Sequence, residues 1–135
     1  MSSGDESAAY QAGALSGIFN SNLSSSEYQY DAVSGISGGA LNAVLLASFA
    51  KGNEKDAASR IEKFWVDASN SQLYKNWIGG ITRGLFFEGG LYNSAPLEDF
   101  LKSQFNNLTI ERKLDVGIVN VADGSYRDFS ETNVT

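Results

Sequence analysis

The sequence predicts a domain of the α/β class. Residues 28–50 combine a short apolar stretch, a glycine cluster and a longer apolar stretch, an order typical of a strand that turns sharply into a helix. Helical patterns lie on both sides of this unit, and Asp123-Gly124 after an apolar stretch indicates a later strand and hairpin. With 135 residues, of which 42% are hydrophobic, the chain can build one core but not two.

The first half of the chain is predicted to hold three helices and one strand. We expect a helix over residues 7–20, whose apolar residues recur at helical spacing, and a buried strand over residues 28–34. A second helix is expected to begin at Ala40 and to end at the polar Lys51-Gly52-Asn53 stop. A third helix follows over residues 54–69, because its apolar side chains form one stripe.

The second half is predicted to begin with an irregular connection. Residues 72–93 are apolar but have no regular period, and their glycines indicate turns. Ser-Ala-Pro at residues 94–96 favours the start of a helix that runs to Phe105. A second buried strand is expected over residues 114–121, followed by a hairpin whose turn is Asp123-Gly124.

The composition excludes several kinds of chemistry. The chain has no cysteine and no histidine, so disulfides, thiolate nucleophiles and the usual ligands of zinc, haem and iron–sulfur clusters are missing. We therefore expect no metal and no other cofactor. Because no imidazole is available either, an enzyme built from these residues needs a carboxylate or a lysine as its general base.

The charge distribution argues against a nucleic-acid partner. The net charge is −6 and the first basic residue is Lys51, whereas phosphate binding needs clustered lysine and arginine. The sequence has no polybasic stretch that would attract anionic lipids. Transient contact with a membrane surface through apolar side chains is still possible. No apolar stretch approaches the ~20 residues of a membrane span. Without a signal pattern at the start, we expect no transmembrane segment and favour a cytoplasmic location.

One segment carries a catalytic motif. Gly35-Ile36-Ser37-Gly38-Gly39 matches the pattern G-x-S-x-G. A nucleophile on a sharp strand-to-helix turn has a strained backbone, and residues two positions away fit the turn best without a Cβ. The two outer glycines meet this requirement. Such an elbow would expose the Ser37 hydroxyl at the end of the strand and would place the N–H of Gly38 near a developing oxyanion.

Two other interpretations of the segment are weaker. Hydrophobic elements flank it directly, which disfavours a flexible Gly/Ser tract. A phosphate-binding loop would require Gly-Lys followed by serine or threonine, which is absent here. With no histidine, a serine nucleophile must use Asp, Glu or Lys as its base, so the composition favours a serine–carboxylate dyad.

Several collinear stretches resemble the patatin-like phospholipases, a family of lipid acyl hydrolases that use a Ser-Asp dyad on an α/β sheet. Residues 30–43, Tyr-Asp-Ala-Val-Ser-Gly-Ile-Ser-Gly-Gly-Ala-Leu-Asn-Ala, are similar to the family's nucleophile block, with Ser37 at the nucleophile. Residues 9–15 resemble the helix after its oxyanion loop. Residues 90–97 resemble a block that opens a later helix, and residues 116–131 resemble the strand and hairpin beyond it.

The resemblance implies a three-layer fold with a mostly parallel sheet, in a patatin-like domain over residues 1–135. The family's first strand would precede the chain, so we expect the fold to be incomplete. Residues 3–8 correspond to the family's Gly-Gly-Gly-x-Arg/Lys-Gly oxyanion loop but keep only Gly4. The resemblance assigns oxyanion donation to the backbone N–H groups of Gly38, Gly4 and Asp5.

The family's catalytic aspartate is not expected among these residues. It lies in an Asp-Gly-Gly or Asp-Gly-Ala motif beyond the hairpin, and neither tripeptide occurs in this sequence. Asp123-Gly124-Ser125 falls at the hairpin turn, where Asp-Gly provides the backbone geometry that the turn needs. Asp123 is therefore a weak candidate for the base. We therefore expect an N-terminal fragment or a truncated gene product that is inactive by itself.

The resemblance implies a serine hydrolase of phospholipase A type that acts on a lipid or phospholipid ester through an acyl-enzyme on Ser37. The alternative is an inactive truncated paralogue that binds lipid or a partner. A histidine hydrolase with a distant imidazole is disfavoured by the flanking blocks. We expect Phe64 and Trp65 in the core. Leu85-Phe86-Phe87 is expected to be buried, with an apolar wall or lid beside an acyl chain as the other possibility.

Overall fold

A three-stranded sheet with helices around it makes up the part of the chain that the structure, a computed structural model, describes: residues 5–70, 95–120 and 122–133. In chain order the elements are α1 (Asp5–Phe19), a short 3-10 helix (Ser25–Glu27), β1 (Ala32–Ile36), α2 (Gly38–Ala47), α3 (Glu54–Asn70), α4 (Ala95–Phe105), β2 (Lys113–Val119) and β3 (Tyr126–Ser130). The α/β prediction is confirmed. Within these ranges, no helix has the length and apolar character needed to cross a membrane.

The sheet has the order β1-β2-β3 and contains both kinds of pairing. β1 runs parallel to β2, with Ile36 beside Gly117, and β2 runs antiparallel to β3, with Val119 beside Tyr126. A parallel pair needs a long crossover, which here contains α2, α3 and α4. Because β1 and β2 run the same way, their carboxyl ends and the β2–β3 turn meet at one edge of the sheet.

Helix α2 covers one face of the parallel pair. Along β1 the side chain of Val33 is buried while Ala32 and Ser34 are exposed, so only alternate residues face the helix. Helices α1 and α3 pack against each other and against α2. The buried apolar residues of this core are Ala12, Phe19, Tyr28, Val33, Ala43, Leu45, Leu46, Ala47, Ala57, Ala58, Ile61, Phe64, Leu114 and Val116.

The strand predicted over residues 28–34 is β1, which lies at Ala32–Ile36. Pairing sets these bounds, because the register with β2 runs from Ala32 to Ile36. Tyr28 and Tyr30 precede the strand and pack on Phe19, with ring centroids 5.3 and 6.0 Å away. The sequence analysis placed these two aromatic residues in the strand. In the structure they lie in the connection before β1, and their rings pack into the core.

Two helices begin earlier than predicted. Helix α1 begins at Asp5 rather than at residue 7, and acidic residues are favourable in a first turn. Helix α2 begins at Gly38 rather than at Ala40, because the sharp turn is confined to one residue and the next glycines are already helical. The connection predicted over residues 72–93, with Leu85-Phe86-Phe87, lies outside the described residues.

A buried ion pair joins the amino ends of β1 and β2 to the connection between α2 and α3. The Arg112 Nη1 atom lies 3.0 Å from the Glu54 Oε1 atom, and the two side chains are 2% and 0% exposed. The second Glu54 oxygen accepts from the N–H of Gly52 at 2.9 Å. The guanidinium also donates at 2.8–3.0 Å to three backbone carbonyls, those of Tyr30, Phe49 and Ala50.

Replacing Arg112 by alanine should lower the free energy of unfolding by about 3–5 kcal/mol, because Glu54 would keep a buried charge without its partner. The matched control is Arg127→Ala, which removes an exposed ion pair with Asp123 at 3.7 Å and should leave the urea midpoint nearly unchanged. Urea unfolding of both variants measures the difference. Equal midpoints for the two variants would contradict the structural role of Arg112.

Candidate active site

Ser37 occupies a strained backbone conformation at the junction of β1 and α2. Its φ is 55° and its ψ is −129°, a region that residues with a side chain rarely adopt. The residue is exposed, and its side chain makes no capping hydrogen bond to the helix that follows. The hydroxyl is therefore presented to solvent at the carboxyl end of β1, where the sequence predicted it.

The turn at Ser37 requires a glycine two residues earlier. A Cβ on Gly35 would overlap the carbonyl oxygen of Gly39 and would lie only 2.8 Å from the backbone nitrogen of Ala40. These are backbone atoms, which cannot move aside as a flexible side chain could. The first glycine of the motif thus lets the end of β1 and the start of α2 approach each other closely.

The first turn of α2 points its N–H groups toward the elbow. Gly38 is the first helical residue, and the N–H groups at a helix start have no acceptor within the helix. The N–H of Ala40 donates to the Ser37 carbonyl at 2.9 Å, which ties the turn to the helix. No acidic residue lies in this first turn, so the positive end of the helix dipole is not neutralised by the helix itself.

Asn42 is a buried polar residue that the sequence analysis did not identify as part of the site. Its side chain is fully buried; the Nδ2 atom donates to the Ala8 carbonyl at 2.9 Å, and the Oδ1 atom accepts from Trp65 Nε1 at 2.7 Å. One signal was available: Asn42 interrupts an apolar helix, and a buried amide requires hydrogen-bond partners. The identity of those partners depends on the packing of three helices.

The remaining oxyanion candidates lie at the start of α1. Asp5 is the first residue of that helix, and Gly4 lies outside the described residues. Within residues 3–8, the stretch that the resemblance matched to the family's oxyanion loop, the described residues 5–8 are helical. Within the described ranges, no group of three or more acidic side chains could hold a metal ion.

Asp123 lies in the β2–β3 turn, at the same edge of the sheet as Ser37. Its Oδ1 atom accepts from the Ser125 hydroxyl at 2.6 Å and from the Ser125 N–H at 2.9 Å. These hydrogen bonds lower the pKa of the Asp123 carboxyl, which makes it a weaker base. Gly124 has a φ of 70°, as a tight turn requires. No hydrogen bond between Asp123 and Ser37 occurs within the described part of the chain.

The family assignment agrees with this geometry. A model of the family "Patatin-like phospholipase" matches residues 1–133. The chain belongs to the patatin-like phospholipase family. The resemblance noted in the sequence is thus confirmed, and the family supports a lipid-hydrolase type of function for the patatin-like chain in general terms. Comparisons with curated proteins and with solved structures give no match.

In this patatin-like chain, Gly35→Ala should lower the free energy of unfolding by about 1–3 kcal/mol or more, because the added methyl group overlaps backbone atoms of α2. The matched control is Gly13→Ala in α1, where nothing lies within 4 Å of the added Cβ. That variant should gain about 0.5–1 kcal/mol from helix propensity. Thermal or urea unfolding of both variants measures the contrast, and a Gly35→Ala protein as stable as Gly13→Ala would refute the close approach.

The Asp123 carboxyl should titrate below its ordinary pKa of 3.8. Ser125→Ala removes the hydroxyl donor and should raise this pKa toward the ordinary value, whereas Ser59→Ala on α3 should not change it. Because the pKa is lowered on folding, the stabilisation is present above the unfolded pKa and is lost as the pH falls through the folded pKa. NMR titration of the carboxyl carbon tests this; an unchanged pKa in Ser125→Ala contradicts it.

Proposed function

We propose that this patatin-like domain, residues 1–135, supplies the nucleophile of a serine lipid acyl hydrolase that acts on a lipid or phospholipid ester. The observation that carries the proposal is the exposed Ser37 hydroxyl on a strained turn at the start of α2. Strain of this kind persists where the surrounding structure holds it, and it is common at active sites. The family assignment supports a lipid as the substrate, reached through transient contact with a membrane surface.

In the proposed reaction, the Ser37 oxygen attacks the ester carbonyl carbon while its proton passes to a general base. The carbonyl oxygen becomes an oxyanion that accepts hydrogen bonds from the N–H of Gly38 and from the start of α1, at Gly4 and Asp5. Collapse of this intermediate breaks the ester bond and transfers the proton to the leaving alcohol. Water then attacks the acyl group on Ser37 and releases the fatty acid, with the base accepting and returning a proton.

We propose an aspartate of the family's Asp-Gly-Gly or Asp-Gly-Ala motif as the base. Neither tripeptide occurs in these 135 residues, so the proposed base lies outside them. Asp123 is the alternative within them. Its lowered pKa and its two bonds to Ser125 support a role in the turn rather than in proton transfer.

Ser37→Ala should abolish hydrolysis of a short-chain nitrophenyl ester by the purified full-length protein, because it removes the nucleophile. The matched control is Ser59→Ala, which deletes an exposed hydroxyl on α3 and should keep the wild-type rate. Asp123→Asn should also retain most of the activity, since an asparagine can keep the turn bonds. Equal turnover by wild type and Ser37→Ala would refute the assignment. Loss of turnover in Asp123→Asn as well as in Ser37→Ala would make Asp123 the base.

A second candidate, a non-catalytic lipid-binding module, is supported by a groove beside α2. The groove has a volume of about 880 Å³ and is lined mainly by apolar side chains of α2, α4 and the following connection, among them Leu41, Val44, Leu101, Phe105 and Ile110. Such a surface suits an acyl chain. Saturable binding of a fluorescent fatty acid, unchanged by Ser37→Ala and without ester turnover, would favour this module over the enzyme.

A further inference from the structure

The contacts at the two ends of α1 determine its direction relative to α2. Near its end, Phe19 packs on Tyr28 and Tyr30, which precede β1 at the amino edge of the sheet. Near its start, the Ala8 carbonyl accepts the hydrogen bond from Asn42. Helix α1 therefore runs from the edge that carries Ser37 toward the opposite edge, as α2 does.

The Asn42 hydrogen bond lies close to both helix starts. At 1.5 Å per residue, Asn42 is about 6 Å along α2 from Gly38, and Ala8 is about 4.5 Å along α1 from Asp5. The bond thus joins the two helices within about one turn of the N–H groups that each presents at its start. Neither backbone can slide along the other here without breaking it.

The environment of this amide makes its loss costly. Asn42 and Ala8 are both 0% exposed, so water cannot replace the bond between them. The Trp65 indole N–H donates to the oxygen of the Asn42 amide, and this bond orients the NH₂ group of Asn42 toward Ala8. A buried amide with both ends satisfied holds one arrangement of its neighbours, whereas an apolar residue of the same size would allow small shifts.

We infer that Asn42 is a positioning residue for the oxyanion donors at the start of α1. This inference rests on the proposed function, because it assigns α1 to the stabilisation of the intermediate formed at Ser37. Asn42 does not touch the substrate. It acts by holding the first turn of α1 against α2, so that the N–H groups of the two helix starts converge on one oxygen atom. A shift of α1 by about 1 Å is enough to lower a rate about 100-fold.

Three variants separate this role from general stability. Asn42→Leu removes both hydrogen bonds at similar volume. Trp65→Phe removes only the indole bond and leaves the donor to Ala8 in place. Glu54→Gln weakens the buried ion pair at the opposite edge of the sheet and serves as a control for lost stability. Each variant is assayed as full-length protein with a short-chain nitrophenyl ester, and each rate is corrected for the folded fraction.

We expect Asn42→Leu to lower kcat by about 10- to 100-fold with little change in KM, because the affected contact forms with the oxyanion and not with the ground state. Glu54→Gln should remain within about 3-fold of the wild-type kcat. Trp65→Phe keeps the donor to Ala8 but no longer fixes its orientation, so its kcat should lie between those of Glu54→Gln and Asn42→Leu. Amide hydrogen exchange gives an independent measurement: residues 9–12, the first intrahelical donors of α1, should exchange faster in Asn42→Leu than in Glu54→Gln.

Each contrary result has a separate meaning. Unchanged exchange at residues 9–12 in Asn42→Leu overturns the tether, and faster exchange with unchanged kcat overturns the positioning role. If kcat falls as much in Glu54→Gln as in Asn42→Leu, Asn42 affects the rate only through the stability of the fold, and the positioning role is overturned. If Ser37→Ala hydrolyses the ester as fast as wild type, the proposed function itself fails and the positioning role fails with it, while hydrogen exchange still decides whether the tether exists.

Discussion

The buried Arg112 guanidinium is the contact on which the arrangement of the parallel strands depends. It donates to Glu54 and to three carbonyls, one before β1 and two after α2, so that one side chain joins these segments at the amino edge of the sheet. Removing a charge of this kind from water is expensive unless every donor finds an acceptor. All three guanidinium nitrogens donate hydrogen bonds in this arrangement of the segments, which therefore favours the register in which Ala32 lies beside Lys113.

At the opposite edge of the sheet, the conformation of the chain depends on backbone sterics rather than on charge. There the chain turns at Ser37, with a backbone strain of order 1–3 kcal/mol that the surrounding structure must offset. The pairing of β1 with β2 and the packing of α2 on both strands supply that compensation. Gly35 makes the turn possible because it brings no Cβ into contact with Gly39. The Arg112 network at the amino edge and the strained turn at the carboxyl edge thus lie at the two ends of the same strand, β1.

The sequence predicts those parts of the fold that depend on local chemistry. The elbow follows from its glycine spacing, and α3 and the β2–β3 turn follow from an apolar stripe and from Asp-Gly. Contacts between distant segments leave no such pattern. Arg112 bonds to a carbonyl 82 positions away, and Asn42 to one 34 positions away, so nothing near either residue identifies its partner. The bounds of β1 were predicted too early for the same reason, since they are set by β2.

The electrostatics of the helix starts distinguish α2 from its neighbours. Helices α3 and α4 carry acidic residues in their first turns, Glu54 and Asp56 in one and Glu98 in the other, which offset the positive end of the helix dipole. Helix α2 has none, and Ser37, the residue that precedes it, makes no side-chain hydrogen bond that caps the helix. An uncharged helix start with no side-chain cap leaves the N–H groups of its first residues, Gly38 and Gly39, available to an outside anion. In the proposed chemistry an oxyanion develops beside Ser37, and a helix start without acidic residues does not repel this negative charge.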